Sequence, residues 1–116
     1  MAAVRYLLLI CADESAELSP EDSAAIDRAA QSWDAEMTHR GVFVEANRLR
    51  PVSDATTLRV RDGDVLITDG PFAETKEQIA GYVLIECADR DEAIALVSTH
   101  PLAAHGAVEV RPLWAQ

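Results

Sequence analysis

A chain of 116 residues with 49% hydrophobic residues and a net charge of -10 has the size of one domain and enough apolar content to fold without a metal or disulfide staple. Twenty acidic against ten basic residues, spread along the chain, argue against nucleic acid or an anionic membrane as partner, because both reward a positive surface. The two cysteines, Cys11 and Cys87, exclude a disulfide framework and a four-ligand zinc site, and fit a reducing compartment.

The chain opens with an apolar run from Tyr6 to Ala12 behind the single Arg5, closed by Asp13 and Glu14. It is too short to span a membrane, and we expect a soluble cytoplasmic protein with its first strand here. Val4 to Cys11 lacks alternation, as a central strand buried on both faces does. Ser19-Pro20-Glu21-Asp22 is a helix start: a capping hydroxyl, a proline at the first helical position and acids at the positive end of the dipole. Ile26, Ala30, Trp33 and Met37 then mark one helical face, and Gly41 ends the helix after Arg40.

Val42 to Leu49 reads as a strand with Val42, Val44 and Ala46 on one face and Phe43, Glu45, Asn47 and Leu49 on the other. Pro51 to Asp54 breaks it. Thr56 to Arg61 and Val65 to Thr68 flank Asp62-Gly63, a strong hairpin signal. Asp69-Gly70-Pro71 is a turn, and Ile79 to Cys87 a second central-looking strand. Asp89 caps a helix from Arg90 to about Thr99, with Glu92 as its capping-box partner. Pro101 is expected to stop that helix, and Gly106 to Leu113 is the last strand.

The order is βαβ, a hairpin insert, then βαβ. Without the hairpin this is the ferredoxin-like split βαβ plan of an α+β protein, a single domain over residues 1–116. Right-handed crossovers place the first and third main strands side by side at the centre. One sheet face then packs on both helices. The other is expected to carry Tyr6, Leu8, Ile10, Phe43, Tyr82 and Leu84, with Glu45, Asn47, Glu109 and Arg111 at its flanks. An apolar patch of that size marks an interface or a ligand cleft, and face-to-face homodimerisation covers it.

The stretch Asp69-Gly70-Pro71-Phe72-Ala73-Glu74-Thr75-Lys76-Glu77 resembles the signature of the DGPF subgroup of YCII-related proteins. Arg5 to Ile10 looks like that family's first strand, Thr57 to Gly63 like its hairpin, and Val108 to Leu113 like its closing strand. The resemblance implies a dimeric α+β barrel. It also implies a site built on a His-Asp pair, small-molecule lyase chemistry as in some distant relatives, and a genetic link to extracytoplasmic-type sigma factors. Asp69 matches the acidic position before Gly-Pro. The histidine that some relatives carry in the first helix has no counterpart between residues 20 and 38, so a histidine partner must be His39, His100 or His105.

Strand directions sort these candidates. They bring Asp13, Arg48, Asp69, Lys76, His100 and His105 to one end of the sheet and leave His39 at the other. A carboxylate beside an imidazole raises its basicity and suits proton abstraction near neutral pH, while Lys76 or Arg48 can steady an oxyanion. The expected site pairs Asp69 with His100 as catalytic residues and takes Arg48, Phe72, Thr75 and Lys76 as substrate-binding side chains, with no metal and no cofactor. Each residue also has a structural alternative. Asp69 can serve the turn alone, Thr75 and Lys76 can start a short turn, His100 can cap the carbonyl end of the second helix, and His105 can be a solvated loop residue. Two functions follow. One is a homodimer that binds a small organic molecule and performs cofactor-independent, lyase-like acid-base chemistry. The other is a non-catalytic sensing or accessory module associated with sigma factor regulation.

Overall fold

The computed structural model describes residues 3–115. Its elements are β1 (Val4–Ala12), α1 (Pro20–His39), β2 (Phe43–Arg48), β3 (Thr56–Arg61), β4 (Asp64–Asp69), β5 (Gln78–Cys87), α2 (Arg90–Val97), α3 (Pro101–His105) and β6 (Ala107–Pro112), with a short 3-10 turn at Val52–Asp54. This is an α+β arrangement of antiparallel sheets and three helices.

Local chemistry sets the element ends. Ser19 Oγ accepts from the Asp22 N–H at 3.0 Å to start α1, and the Asp89 carboxylate accepts from the Glu92 N–H at 2.9 Å to start α2. Each satisfies a backbone donor that the first helical turn leaves free. Asp62 and Gly63 both have positive φ, 52° and 81°, as a tight turn matched to the twist of β3 and β4 demands.

Pro101 does not end the helical region. It begins α3, with His100 as the cap: the His100 Nδ1 accepts from the Leu102 N–H at 3.1 Å. His100 thus serves the amide end of α3 rather than the carbonyl end of α2, and His105 is the last residue of a helix rather than a loop residue. Proline suits a first helical turn because its missing N–H has no partner there.

The main sheet has the order β2-β5-β1-β6, with every neighbouring pair antiparallel. The two non-alternating apolar runs, β1 and β5, are its central strands. The helix-facing side holds the core: Tyr6, Leu8, Ile10, Val83, Ile85 and Cys87 from the sheet meet Trp33, Met37, Ala93, Leu96 and Val97 from the helices. The cysteines lie at opposite ends of the central pair, since Val4 pairs with Cys87 and Cys11 with Ile79; both are free thiols.

The face assignment of β1 differs from the expected one. Tyr6, Leu8 and Ile10 point into the core, and it is Leu7 and Leu9 that lie beside Leu84 and Tyr82 on the other face. A strand with an unbroken apolar run carries no alternation to fix which side faces the helices, and a one-residue slip exchanges the faces. Phe43 also joins the core side. The ladder between β2 and β5 slips between Phe43 and Glu45, and this bulge at Val44 puts Phe43 and Ala46 on one side, Glu45 and Asn47 on the other.

Strands β3 and β4 form a separate two-stranded sheet. Leu58 pairs with Ile67 and Val60 with Val65, so all four share one face, and all four are more than half exposed. The hairpin is an arm. Its projection raises the radius of gyration to 16.3 Å, against about 13 Å for a compact chain of this length. The molecule is also thin, 18 Å along its shortest axis.

Candidate functional site

Trp33 and Met37 fill the space between the C-terminal half of α1 and the sheet; the N-terminal half presents smaller side chains. Ser23, Ile26 and Ala30 there face Ala46, Ala80 and Gly81 on the sheet, with Ala12 and Ala16 closing one side. Seven small residues, Ala12, Ala16, Ser23, Ala30, Ala46, Ala80 and Gly81, leave a cavity of about 360 Å³, a size suited to a small organic ligand. Ile10, Val83 and Leu102 give it apolar walls. Asp13, Asp27, Asp34, Arg48, His100 and His105 give it polar ones.

His100 is the most constrained of these. It is only 5% exposed. Its ring packs edge-on against Trp33 with centroids 4.8 Å apart. The indole N–H of Trp33 donates to the Leu96 carbonyl at 3.1 Å and to Thr99 Oγ1 at 2.9 Å, so three helices lock around the imidazole. Burial pushes the His100 pKa down, because a desolvated imidazolium is costly. With Nδ1 accepting from Leu102, the neutral ring carries its proton on Nε2. That N–H has no protein partner among the described residues, and no fully buried side-chain nitrogen there lacks one. Nε2 therefore opens onto the cavity that the ring lines, as a hydrogen-bond donor.

Asp34 follows Trp33 on α1 and lines the same cavity. Burial raises its pKa, with no hydrogen bond or charge to offset the effect. A half-buried carboxylate without a partner is a stronger base than an exposed one. Asp13 is held differently: its Oδ1 accepts from the Ser15 N–H at 2.9 Å and from the Ser15 hydroxyl at 2.6 Å. These bonds come first in pulling its pKa down, with Lys76 contributing through its charge. Arg48 lies 3.7 Å from Asp27 across the gap between β2 and α1.

Of the residues expected from sequence, Arg48 and His100 line the cavity, together with Asp13 and His105. Asp69, Phe72, Thr75 and Lys76 do not, and neither does His39. Asp69 ends β4 at the root of the arm. Phe72 is 77% exposed, and the Arg59 guanidinium stands 5.1 Å from its ring centre. Thr75 Oγ1 donates to the Glu77 carbonyl at 2.6 Å, a local turn contact. Asp34 was not among the expected residues. Its signal was faint: an acid beside Trp33 on a helix face that the apolar spacing alone marks as core. Among the described residues no three His, Cys, Asp or Glu side chains are placed to hold a metal ion, and no helix is long and apolar enough to cross a membrane. Burial pushes both thiols up in pKa, so neither is an activated nucleophile.

A single antiparallel sheet with helices on one face, a hairpin inserted between its halves and an acidic cavity under the first helix defines a small α+β domain. The chain belongs to the YCII-related domain family, whose model matches residues 4–115. It is also 38% identical over 114 residues to an uncharacterised protein of Rhizobium meliloti (strain 1021), covering 93% of this chain and 90% of that one.

Proposed function

We propose that this domain binds a small organic molecule in the cavity under α1 and can remove a proton from a carbon next to a carbonyl group. One observation carries the reading: a buried imidazole whose tautomer is fixed by its backbone contact offers Nε2–H to a cavity that an unpartnered carboxylate also lines. The roles follow from the tautomer. His100 cannot act as base while Nδ1 accepts from Leu102, so it is the hydrogen-bond donor that holds the developing enolate oxygen. Asp34 takes the proton. The C–H electron pair moves to the carbonyl oxygen and an O–H forms on the Asp34 carboxyl. If a leaving group stands on the adjoining carbon, its departure from the enolate makes the reaction lyase-like.

The domain acts as a homodimer in this reading. Leu7, Leu9, Tyr82 and Leu84 are half-buried on a sheet face with no helix over it, and the same face of a second copy covers them. Two ferredoxin-like sheets so joined form a dimeric α+β barrel of the DGPF type. The apolar arm favours a second reading, an accessory module that docks on a regulatory protein such as a sigma factor.

The test is to purify the protein from its host, denature it, and identify any small molecule released. A carbonyl compound recovered from wild type, and lost from Asp34→Asn and His100→Asn, is the expected result. His100→Asn keeps a capping oxygen for Leu102 and removes the Nε2 donor together with the ring that packs against Trp33. Recovery of the same molecule from both variants would remove the cavity from the account.

A further inference from the structure

The cavity's charges are unbalanced. Asp13, Asp27 and Asp34 face one cation, Arg48, and Arg48 already stands beside Asp27. Asp13 is engaged by Ser15 and has Lys76 near it. Asp34 alone has no hydrogen-bond or ionic partner among the described residues. Leaving a half-buried carboxylate uncompensated costs stability, and a cationic ligand recovers that cost on binding. An anionic ligand meets the opposite: two like charges in a site partly shielded from solvent, inside a chain of net charge -10.

The second polar feature is independent of charge. His100 is more than nine-tenths buried and turns an unpartnered N–H donor into the same space, which asks the ligand for an acceptor oxygen. Ile10, Ile26 and Val83 supply apolar walls around about 360 Å³, at the small end of ligand pockets, which suits roughly one ring and a short chain.

Resting on the reading of the cavity as a binding site, we infer that its ligand is an α-amino carbonyl compound of single-ring size, with its ammonium group on Asp34 and its carbonyl oxygen on His100 Nε2–H. The chemistry is self-consistent. The carbon that carries the ammonium is the one whose proton is lost, so one carboxylate oxygen can hold the ammonium while the other takes the proton. The ammonium also makes that C–H more acidic. No oxidant or co-reactant is needed: the C–H bond breaks, an O–H forms on Asp34, and the electron pair rests on the carbonyl oxygen.

Three ring ketones of similar size separate the possibilities by calorimetric titration of the intact protein: phenacylamine (cationic), acetophenone (neutral) and benzoylformate (anionic). Phenacylamine is expected to bind at least tenfold more tightly than acetophenone, and benzoylformate not at all. Asp34→Asn should abolish the tenfold preference, bringing phenacylamine down to the affinity of acetophenone for the same variant. His100→Asn should weaken both ketones alike. Circular dichroism of each variant checks that it is folded. If acetophenone binds and the amine adds nothing, or if benzoylformate binds best, the amine assignment falls and the cavity stands. If none of the three binds at millimolar concentration, both fall.

Discussion

The body of the molecule and its arm are both antiparallel sheet, yet they are held together by different means. In the body, Tyr6, Leu8 and Ile10 of β1 are buried against the helices, and Leu8 and Ile85 are almost wholly withdrawn from solvent. In the arm, the backbone ladder between β3 and β4 is complete while Leu58, Val60, Val65 and Ile67 have nothing beneath them. Hydrogen bonding alone gives little net stability because water offers the same bonds, and an isolated two-stranded hairpin is marginal. The difference shows that the ladder sets shape, and burial sets stability.

The sharpest test of that comparison pairs one substitution in each region. Leu8→Ala should lower unfolding stability in urea by about 2–5 kcal/mol, the usual cost of emptying a core position. Ile67→Ala should change it by less than about 0.5 kcal/mol at low protein concentration, as exposed positions do. Equal costs would mean that the arm is packed in solution, and a cost at Ile67 that grows with protein concentration would point to a second copy covering it.

A smaller effect is expected where strand and helix connection meet. A Cβ at Gly106 would collide with the Cys11 carbonyl oxygen, and backbone cannot swing aside as a side chain can. Gly106→Ala should therefore cost roughly 1–3 kcal/mol, in the range of overpacked sites. The same change at Gly63 in the arm meets no atom within 4 Å and carries only the strain of its positive φ. Thermal melting of both variants ranks the two causes. A Gly106 variant as stable as wild type would show that β1 and β6 can separate at that point.

The smallest effect is a change of slope with pH. His100 has its folded pKa below the ordinary 6.5, so the unfolded chain takes up this proton first. Its contribution to stability is complete above about pH 6.5 and is lost as pH falls through that value. Asp34, raised above 3.8, acts in the opposite sense and at more acidic pH. Urea midpoints between pH 7 and 5 should fall less for His100→Asn than for wild type. Parallel slopes would mean that the imidazole protonates freely in the folded state.

The parts legible in the sequence were those written in local chemistry. Ser19 and Asp89 fixed two helix starts, Asp62-Gly63 fixed the hairpin, and unbroken apolar runs identified β1 and β5 as central. The parts not legible depend on distance or on a missing alternation. Nothing in Tyr6 to Ile10 says which residues face the helices, and nothing near Val44 announces a bulge. Pro101 reads equally as a stop and as a first helical residue; the His100 cap decides. The cavity was hidden because its walls are small residues scattered from Ala12 to Gly81, each ordinary where it stands. Directional reasoning groups Asp13, Arg48, Asp69, Lys76, His100 and His105 at one end; Asp13, Arg48, His100 and His105 line the cavity, and Asp69 and Lys76 do not. It did not single out Asp34, whose importance comes from what is not beside it.

The thinness of the molecule has a consequence for how such a site can change over evolutionary time. One sheet and one helical layer leave no interior other than the core, so Ile10 and Val83 are at once core residues and cavity wall. Enlarging the space at either position removes methylene groups that also hold β1 and β5 to the helices, at about 0.5–1.5 kcal/mol for a single methyl. Ligand preference and thermal tolerance are therefore tied together along that wall. They come apart at lining positions outside the core, among them Ala16 and Leu18 in the loop before α1. Side chains in that short loop can reshape the opening at little cost to the fold.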